Sequence, residues 1–477
     1  MTSLDLDSAT PDVGQGSRSR FARFVPALIL ALLAYVPSFM ARPGWVAADT
    51  KAYLYLNPSK LLSSAWSMWN PDVALGTVTH QNIGYLFPMG PYFWATNALG
   101  IPVWAAQRFW MGSLFFAAGL GFYCFSRLLG LRRRGALAGA FVYMLTPFVL
   151  DYITRISAIT MPWAALGWML CCTALALRRG GWRYPALFAL CVAIVGGVNA
   201  TSILFVGLAP TLYLLYAITS TKEASSRAAI RVIGKIGLLT TMVSLWWIAG
   251  LWAEGAYGIN ILKFTETIPT VTSTSLASEA FRGLGYWFFY GRDVSEPWTS
   301  AAAPYVSSYW AIALSFAIPT ACLLAGMLVK WRYRAFAVWV TVLGIVLAVA
   351  AYPLTKPTPF GSALKAAAES STVGLAMRSS NRVLPIAVLG LGLLLGAFIS
   401  AVVDRKPRYG TWLLIATFVA TSANLSPLFN GSIVATNNAR SSEKFPQSVT
   451  DTANYLNSNH QGTNVLGVPG EDFAYYT

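Results

Sequence analysis

The sequence predicts an all-α, polytopic membrane protein of about eleven spans, and three observations carry that prediction. Only 11% of the 477 residues are charged and 56% are hydrophobic, whereas a soluble globule carries about 25% charged residues. Apolar runs recur at the length needed to cross a hydrocarbon core, roughly 20 residues of helix. The loops between them alternate in charge, which is how a multi-span protein records its orientation.

In chain order, residues 1–23 are polar and then basic, with Arg18, Arg20 and Arg23, and read as a cytoplasmic tail. The apolar run at 24–41 is long for a secretory signal, and Met40-Ala41-Arg42-Pro43 is a poor cleavage site, so an uncleaved first helix is expected. Further runs fall at 104–129, 136–151, 157–177, 184–198, 201–219, 232–252, 308–329, 335–353, 383–403 and 411–427, of which the short, glycine-broken 184–198 is the weakest. With the N-terminus inside, the inward loops are 132–134, 178–183, 221–231, 330–334 and 404–408, and each is basic. Asp49, Asp72, Asp151, Glu254, Glu266, Glu279, Asp293, Glu296 and Glu369 then fall outside. A miscounted helix would scramble this pattern from that point on. The formal net charge of +16 therefore reports orientation and the lipid bilayer, not a nucleic-acid partner. Cys124, Cys171, Cys172, Cys191 and Cys322 all lie in apolar runs without metal or redox spacing, and read as small buried apolar groups.

The region 24–427 carries three long outer segments, about 42–103, 253–307 and 354–382. Irregular backbone must be kept out of lipid, so these segments are expected to fold back over the outer helix ends. Residues 60–69 and 362–371 look like short interfacial helices, and Trp66, Trp69, Trp94 and Trp104 suit the headgroup level. Residues 428–477 turn polar and read as the start of a truncated outer soluble region, with a helix over VTDTANYLNS and a strand and turn over NVLGVPG. About fifty residues bury little core alone.

The first outer segment concentrates polar chemistry: Asp49, Lys51, Asp72, His80, Gln81 and Asn82. Asp49 has three readings: a general base toward a hydroxyl group, a solvated loop aspartate, or an N-cap for a helix over TKAYLYL. His80, Gln81 and Asn82 either grip sugar hydroxyls or a phosphate, or satisfy the backbone of a turn. Arg378 and Arg382 are spaced to share a helical face, as a bidentate clamp for a lipid phosphate or as headgroup-snorkelling side chains. Glu254 and Glu266 flank the end of the run at 232–252 and could assist acid–base work or hold a divalent cation. The first loop contains no DxD-type motif, so no cofactor is evident. The aromatic run Tyr286 to Tyr290 either stacks on sugar or lies at the membrane interface, the interface being the default. Asp151 and Arg155 are read as a structural pair.

With those residues in view, the sequence resembles the actinobacterial alpha-(1->3)-arabinofuranosyltransferases of the cell wall, the AftD type. The stretches that carry the resemblance are ADTKAYLYLNP, GTVTHQNIGYLFPMGPYFW, AAQRFWMGSLFFAAGLGFY, RGLGYWFFYGRD and AMRSSNR. The resemblance implies a GT-C glycosyltransferase with an outward-facing active site in the plasma membrane, a polyprenyl-phosphate arabinofuranose donor and an arabinan acceptor in arabinogalactan or lipoarabinomannan. It also implies that an acidic residue early in the first outer loop is essential, and Asp49 holds that place. Lys51, His80, Gln81, Asn82, Glu254, Glu266, Arg378 and Arg382 are then the expected substrate-binding residues. Two rival readings remain: a transferase of the same fold using another sugar, such as mannose, and a lipid-linked sugar transporter. The scarcity of mid-helix charge weighs against the transporter.

Overall fold

The computed structural model describes residues 4–5, 20–47, 49–71, 75–79, 82–292, 297–434, 447–460, 462, 463 and 465. Each of the eleven apolar runs contains a helix: α1 (Arg20–Ser38), α2 (Val103–Leu128), α3 (Arg133–Met144), α4 (Ser157–Arg179), α5 (Arg183–Val195), α6 (Ala200–Thr219), α7 (Ser226–Tyr257), α8 (Tyr309–Leu328), α9 (Arg334–Val349), α10 (Leu384–Arg405) and α11 (Pro407–Asn424). Among the described residues six helices are long and apolar enough to cross a membrane: α2, α4, α6, α7, α8 and α10, the last counted from Ser380. The protein is thus a helical membrane protein.

The centre is built from α2, α3, α4 and α10, and glycine lets their backbones meet. On α3, Gly135 and Gly139 lie four residues apart and share a face; on α10, Gly392 and Gly396 do the same. A Cβ on Gly139 would sit 2.5 Å from the Gly392 carbonyl oxygen, and one on Gly392 would sit 2.8 Å from the Gly139 oxygen. Small-residue faces of this kind replace the hydrophobic driving force that lipid cannot supply between helices. Around this contact the Phe122 and Tyr143 rings stack at 5.4 Å, and the Tyr143 hydroxyl donates to the Trp163 carbonyl at 2.6 Å, so the buried phenol is satisfied. By contrast α7 presents Ile233, Leu238, Met242, Leu245 and Ile248 outward, as a lipid-facing helix does.

The basic loops gather at one end. Arg132 pairs with Asp404 at 2.7 Å, and Arg178 reaches Glu223 at 3.2 Å and the Tyr333 hydroxyl at 2.9 Å. The long segments cover the opposite end, where α4, α6 and α10 begin and α7 ends.

Several local expectations need correction. The run at 136–151 is not one helix: α3 stops at Met144, because Pro147 cannot continue the ladder, and a 3-10 turn follows over Pro147–Asp151. Residues 60–69 are helical only within Pro58–Ser64, where Asn57 caps the Lys60 amide at 3.2 Å; Trp69–Asn70 instead pairs antiparallel with Thr77–Val78. The 286–290 run is not an interfacial belt. Tyr286 and Phe289 are buried, with the Tyr286 ring 4.7 Å from that of Tyr152 and the Phe289 ring 5.9 Å from that of Tyr305. The helix at 362–371 does form, as Pro359–Ser370, capped by Thr358. VTDTANYLNS lies within the exposed helix Gln447–Asn459, while NVLGVPG falls almost wholly outside the described residues. The five cysteines are free thiols, three of them buried.

Candidate functional site

The approach to Asp49 is fixed by the first turns of α2. Gln107 is a buried amide on an apolar helix, and it pairs twice with the peptide of Ala47. Its Nε2 donates to the Ala47 carbonyl at 3.0 Å, and its Oε1 accepts from the Ala47 N–H at 2.8 Å. Arg108, also buried, donates from Nη2 to the Trp45 carbonyl at 2.8 Å. Buried polar backbone of this kind must find partners, and two adjacent α2 side chains provide them.

Asp49 is 5% exposed and turns toward the start of α4. Its Oδ1 accepts the Ser157 amide at 2.7 Å, and its Oδ2 accepts the Ser157 hydroxyl. The Ser157 Oγ in turn accepts from the Trp110 indole at 3.1 Å. The carboxylate therefore sits at the positive end of a 23-residue helix. Burial pushes its pKa from 3.8 up to about 6, and the two Ser157 bonds pull it part of the way back. Such a group is a stronger base than a surface aspartate, yet it is mostly ionised at neutral pH. A cavity of about 10 Å³ lies against Asp49, Arg108, Trp110 and Thr154, which is space for one water molecule. Asp49 does not cap the next helix, Ala52–Leu56: Lys51 holds the cap position, without a side-chain bond.

Thr50 is held at φ +46°, unfavourable for a β-branched residue. Its N–H donates to the Arg155 carbonyl and its hydroxyl meets that of Tyr85, so neighbours on two sides impose the strain. Strain of about 1–3 kcal/mol of this type concentrates at functional positions. Nearby, Tyr53 donates to the Asn82 side chain at 2.7 Å. Burial lowers the Lys51 pKa, and the charge of Glu254, in the last turn of α7, raises it. The turn Asn82–Leu86 is pressed onto the entry to α6: a Cβ on Gly84 would lie 2.5 Å from the Gly197 carbonyl oxygen. His80, Gln81 and Asp72 lie outside the described residues.

The arginines are arranged differently from the expected helical pair. The helix Thr372–Ala376 ends before Arg378, and Arg382 lies in the 3-10 turn Ser380–Val383, so no helical face is shared. The Arg378 fork is already engaged: Nε donates to the Glu266 carbonyl at 2.8 Å, Nη2 to the Thr265 hydroxyl at 2.6 Å, and the Glu266 carboxylate lies 3.5 Å away. Glu266 also accepts from the Ser379 hydroxyl at 3.1 Å. Arg382 donates from Nη1 to Thr201 in the first turn of α6 at 3.0 Å. Asp151 and Arg155 do not pair. The Arg155 guanidinium instead stacks 3.9 Å from the Phe288 ring centre, while Asp151 is turned into the interior.

The structure therefore brings Asp49, Lys51, Asn82 and Glu254 to the end of the bundle where Arg382 and the start of α6 also lie, and assigns Arg378 and Glu266 to holding the third outer segment. Sequence reasoning missed Gln107, Tyr53, Tyr85, Ser157 and Thr201. Gln107-Arg108 had a signal, two polar residues opening an otherwise apolar span. Ser157 had none.

Apolar helices roofed at one end by long polar loops, with a buried carboxylate early in the first of those loops, make up a membrane domain of GT-C type. The chain belongs to the family described as alpha-(1->3)-arabinofuranosyltransferase, N-terminal GT-C domain, whose model matches residues 33–477. Similar curated proteins are the alpha-(1->3)-arabinofuranosyltransferases of Mycobacterium tuberculosis, 29% identical over 472 residues, and Mycolicibacterium smegmatis, 28% identical over 476 residues. Each alignment covers 94% of this chain and 32% of the relative, so the chain spans about a third of the length of the curated relatives it matches. The fold is also that of a cryo-EM structure of arabinofuranosyltransferase AftD from mycobacteria, with a TM-score of 0.72 at 23% identity over 95% of this chain and 30% of that one.

Proposed function

We propose that this chain forms the membrane-embedded transfer centre of an arabinofuranosyltransferase, with Asp49 as its general base. The donor is a polyprenyl-phosphate arabinofuranose and the acceptor is a hydroxyl of cell-wall arabinan, joined in an alpha-(1->3) linkage at the outer face of the plasma membrane. One observation supports this reading above the others: an acid early in the first loop is buried and proton-avid, bonded by Ser157 of α4, with its loop pinned by Gln107 of α2.

In this reading the Ser157 amide anchors Oδ1, and the acceptor hydroxyl takes the place of the Ser157 hydroxyl at Oδ2. Asp49 removes the acceptor proton as the acceptor oxygen bonds to the anomeric carbon. The bond from that carbon to phosphate breaks, and its electron pair leaves with the lipid phosphate. The phosphate lies toward Arg382, with Arg378 and Glu266 as props of the segment that carries it. Lys51, Asn82 and Glu254, together with His80 and Gln81 of the same loop, border the sugar. The leaving group is already a phosphate, so no nucleotide is required.

The test uses membranes carrying the chain, a short arabinan acceptor and labelled lipid donors. Label should pass to the acceptor from polyprenyl-phosphate arabinofuranose. Transfer from the mannose donor alone, or donor flipping without transfer, overturns the reading.

Ser157→Ala removes a hydrogen bond that lowers the Asp49 pKa. A base must be ionised to act, so activity should fall as pH drops through about 6 in the parent chain. In Ser157→Ala this acid limb should move to higher pH, as read from a kcat/KM profile. Sidedness has its own check: on intact cells an impermeant thiol reagent should label Trp66→Cys and spare Arg133→Cys.

A further inference from the structure

Beside the proposed centre, two dipeptides hold an unusual group of polar atoms. Asp151 is 3% exposed, Tyr152 is fully buried and Asn381 is 2% exposed. Among the described residues, neither Asp151 oxygen closes a hydrogen bond, although the Tyr286 backbone stands beside the carboxyl. Nor do the Tyr152 hydroxyl, the two polar atoms of the Asn381 amide and Arg382 Nε close one. Native proteins leave only a few such atoms per hundred residues, and here six lie in four residues.

These groups are neighbours. The Tyr152 hydroxyl stands beside the Asn381 side chain without closing a hydrogen bond, and the charges of Asp151 and Arg382 both reach it. Tyr286, whose ring lies 4.7 Å from that of Tyr152, also feels both charges. Three loop segments meet here: the Pro147–Asp151 turn, the Trp287–Tyr290 turn and the Ser380–Val383 turn. Three residues after Tyr152, the Arg155 carbonyl holds Thr50, which ties this stretch to the Asp49 loop.

The donor and acceptor inventory points to a ligand class. A carboxylate offers acceptors only, a guanidinium donors only, and an amide and a phenol both. Burial pushes the Asp151 carboxyl well above its usual range, so it can also hold a proton to donate, and a metal cation would meet the charge of Arg382. Hydroxyl groups satisfy all four side chains, because each O–H can donate to the carboxylate and accept from the amide or guanidinium.

We propose that Asp151, Tyr152 and Asn381 form a subsite for the hydroxyl groups of a sugar ring, with Asp151 as its anchoring acceptor and Arg382 at its edge. This rests on the transfer reading above and adds residues to it. The atoms are closed to solvent here, so sugar enters as the Pro147–Asp151 and Ser380–Val383 turns part. The ring belongs either to the donor or to the acceptor, and kinetics separates the two.

The experiment compares Asp151→Asn and Tyr152→Phe with the parent chain in membranes. KM is measured separately for the lipid-linked arabinofuranose and for an arabinan oligosaccharide, alongside the thermal unfolding midpoint. Both variants keep side-chain shape. The expected result is a KM raised about tenfold by Asp151→Asn and severalfold by Tyr152→Phe, the scale of one lost hydrogen bond to a charged and to a neutral group. The same substrate should be affected in both, with the unfolding midpoint unchanged or raised. A donor effect assigns the donor ring and an acceptor effect the acceptor ring. A lowered midpoint with both KM values unchanged shows a structural role and overturns the proposal, as does no change at all. If Asp49→Asn abolishes transfer while both variants keep parental KM, the subsite alone fails; if Asp49→Asn transfers normally, it is the transfer reading that fails.

Discussion

Asp49→Asn should lower arabinosyl transfer by about 10²–10⁴-fold, the usual contribution of a positioned general base, while leaving the protein folded. Asparagine keeps the shape: its oxygen can still accept the Ser157 amide and its nitrogen can donate to the Ser157 hydroxyl. What it cannot do is take a proton from the acceptor. Stability should change in the opposite direction to activity. The Asp49 pKa is about 6 in the folded chain against an ordinary 3.8, so Asp49 favours folding fully at pH below about 4. That contribution is lost as pH rises through about 6. Above that pH the parent chain bears a burial penalty of about 3 kcal/mol, which asparagine avoids. Transfer assays paired with thermal unfolding at pH 7.5 would show an inactive variant that is at least as stable as its parent. A variant that unfolds earlier and loses activity in proportion would make Asp49 structural instead.

Gly139→Leu should prevent the bundle from closing. The α3 and α10 backbones touch at Gly139 and Gly392, where even a methyl group would lie 2.5 Å from a carbonyl oxygen. A leucine adds three further carbons to a contact made by backbone, which cannot swing aside. Overpacking ordinarily costs about 1–3 kcal/mol where side chains can adjust, and here the cost should exceed that range. The expected outcome is loss of monodisperse protein after detergent extraction. Gly207→Leu is the control, since a Cβ there meets nothing within 4 Å, and it should extract normally. Equal behaviour of the two variants would show that α3 and α10 tolerate separation.

The positions of the eleven helices were legible because apolar composition over a bilayer length is a local property, as are the basic loops. The glycine pairs on α3 and α10 stand in the sequence at four-residue spacing, yet which helix meets which is not written there. The short outer elements were read less well. Trp69–Asn70 forms a ladder because Thr77–Val78 returns beside it, a contact outside any helical window. The aromatic run at 286–290 has the composition of an interface, but Tyr152 and Tyr305 draw Tyr286 and Phe289 inward.

The sequence by itself determined a membrane helical bundle and the family, since hydropathy, charge alternation and motif spacing all lie within short stretches of chain; it singled out Asp49 only through the resemblance. Only the tertiary structure decided that Gln107 and Ser157 hold the Asp49 loop, that Glu266 occupies Arg378, and that Asp151 is buried beside the Tyr286 backbone. The partners in these contacts stand tens to hundreds of residues apart, and burial, which sets the cost and proton affinity of a charge, exists only once distant segments have closed around it.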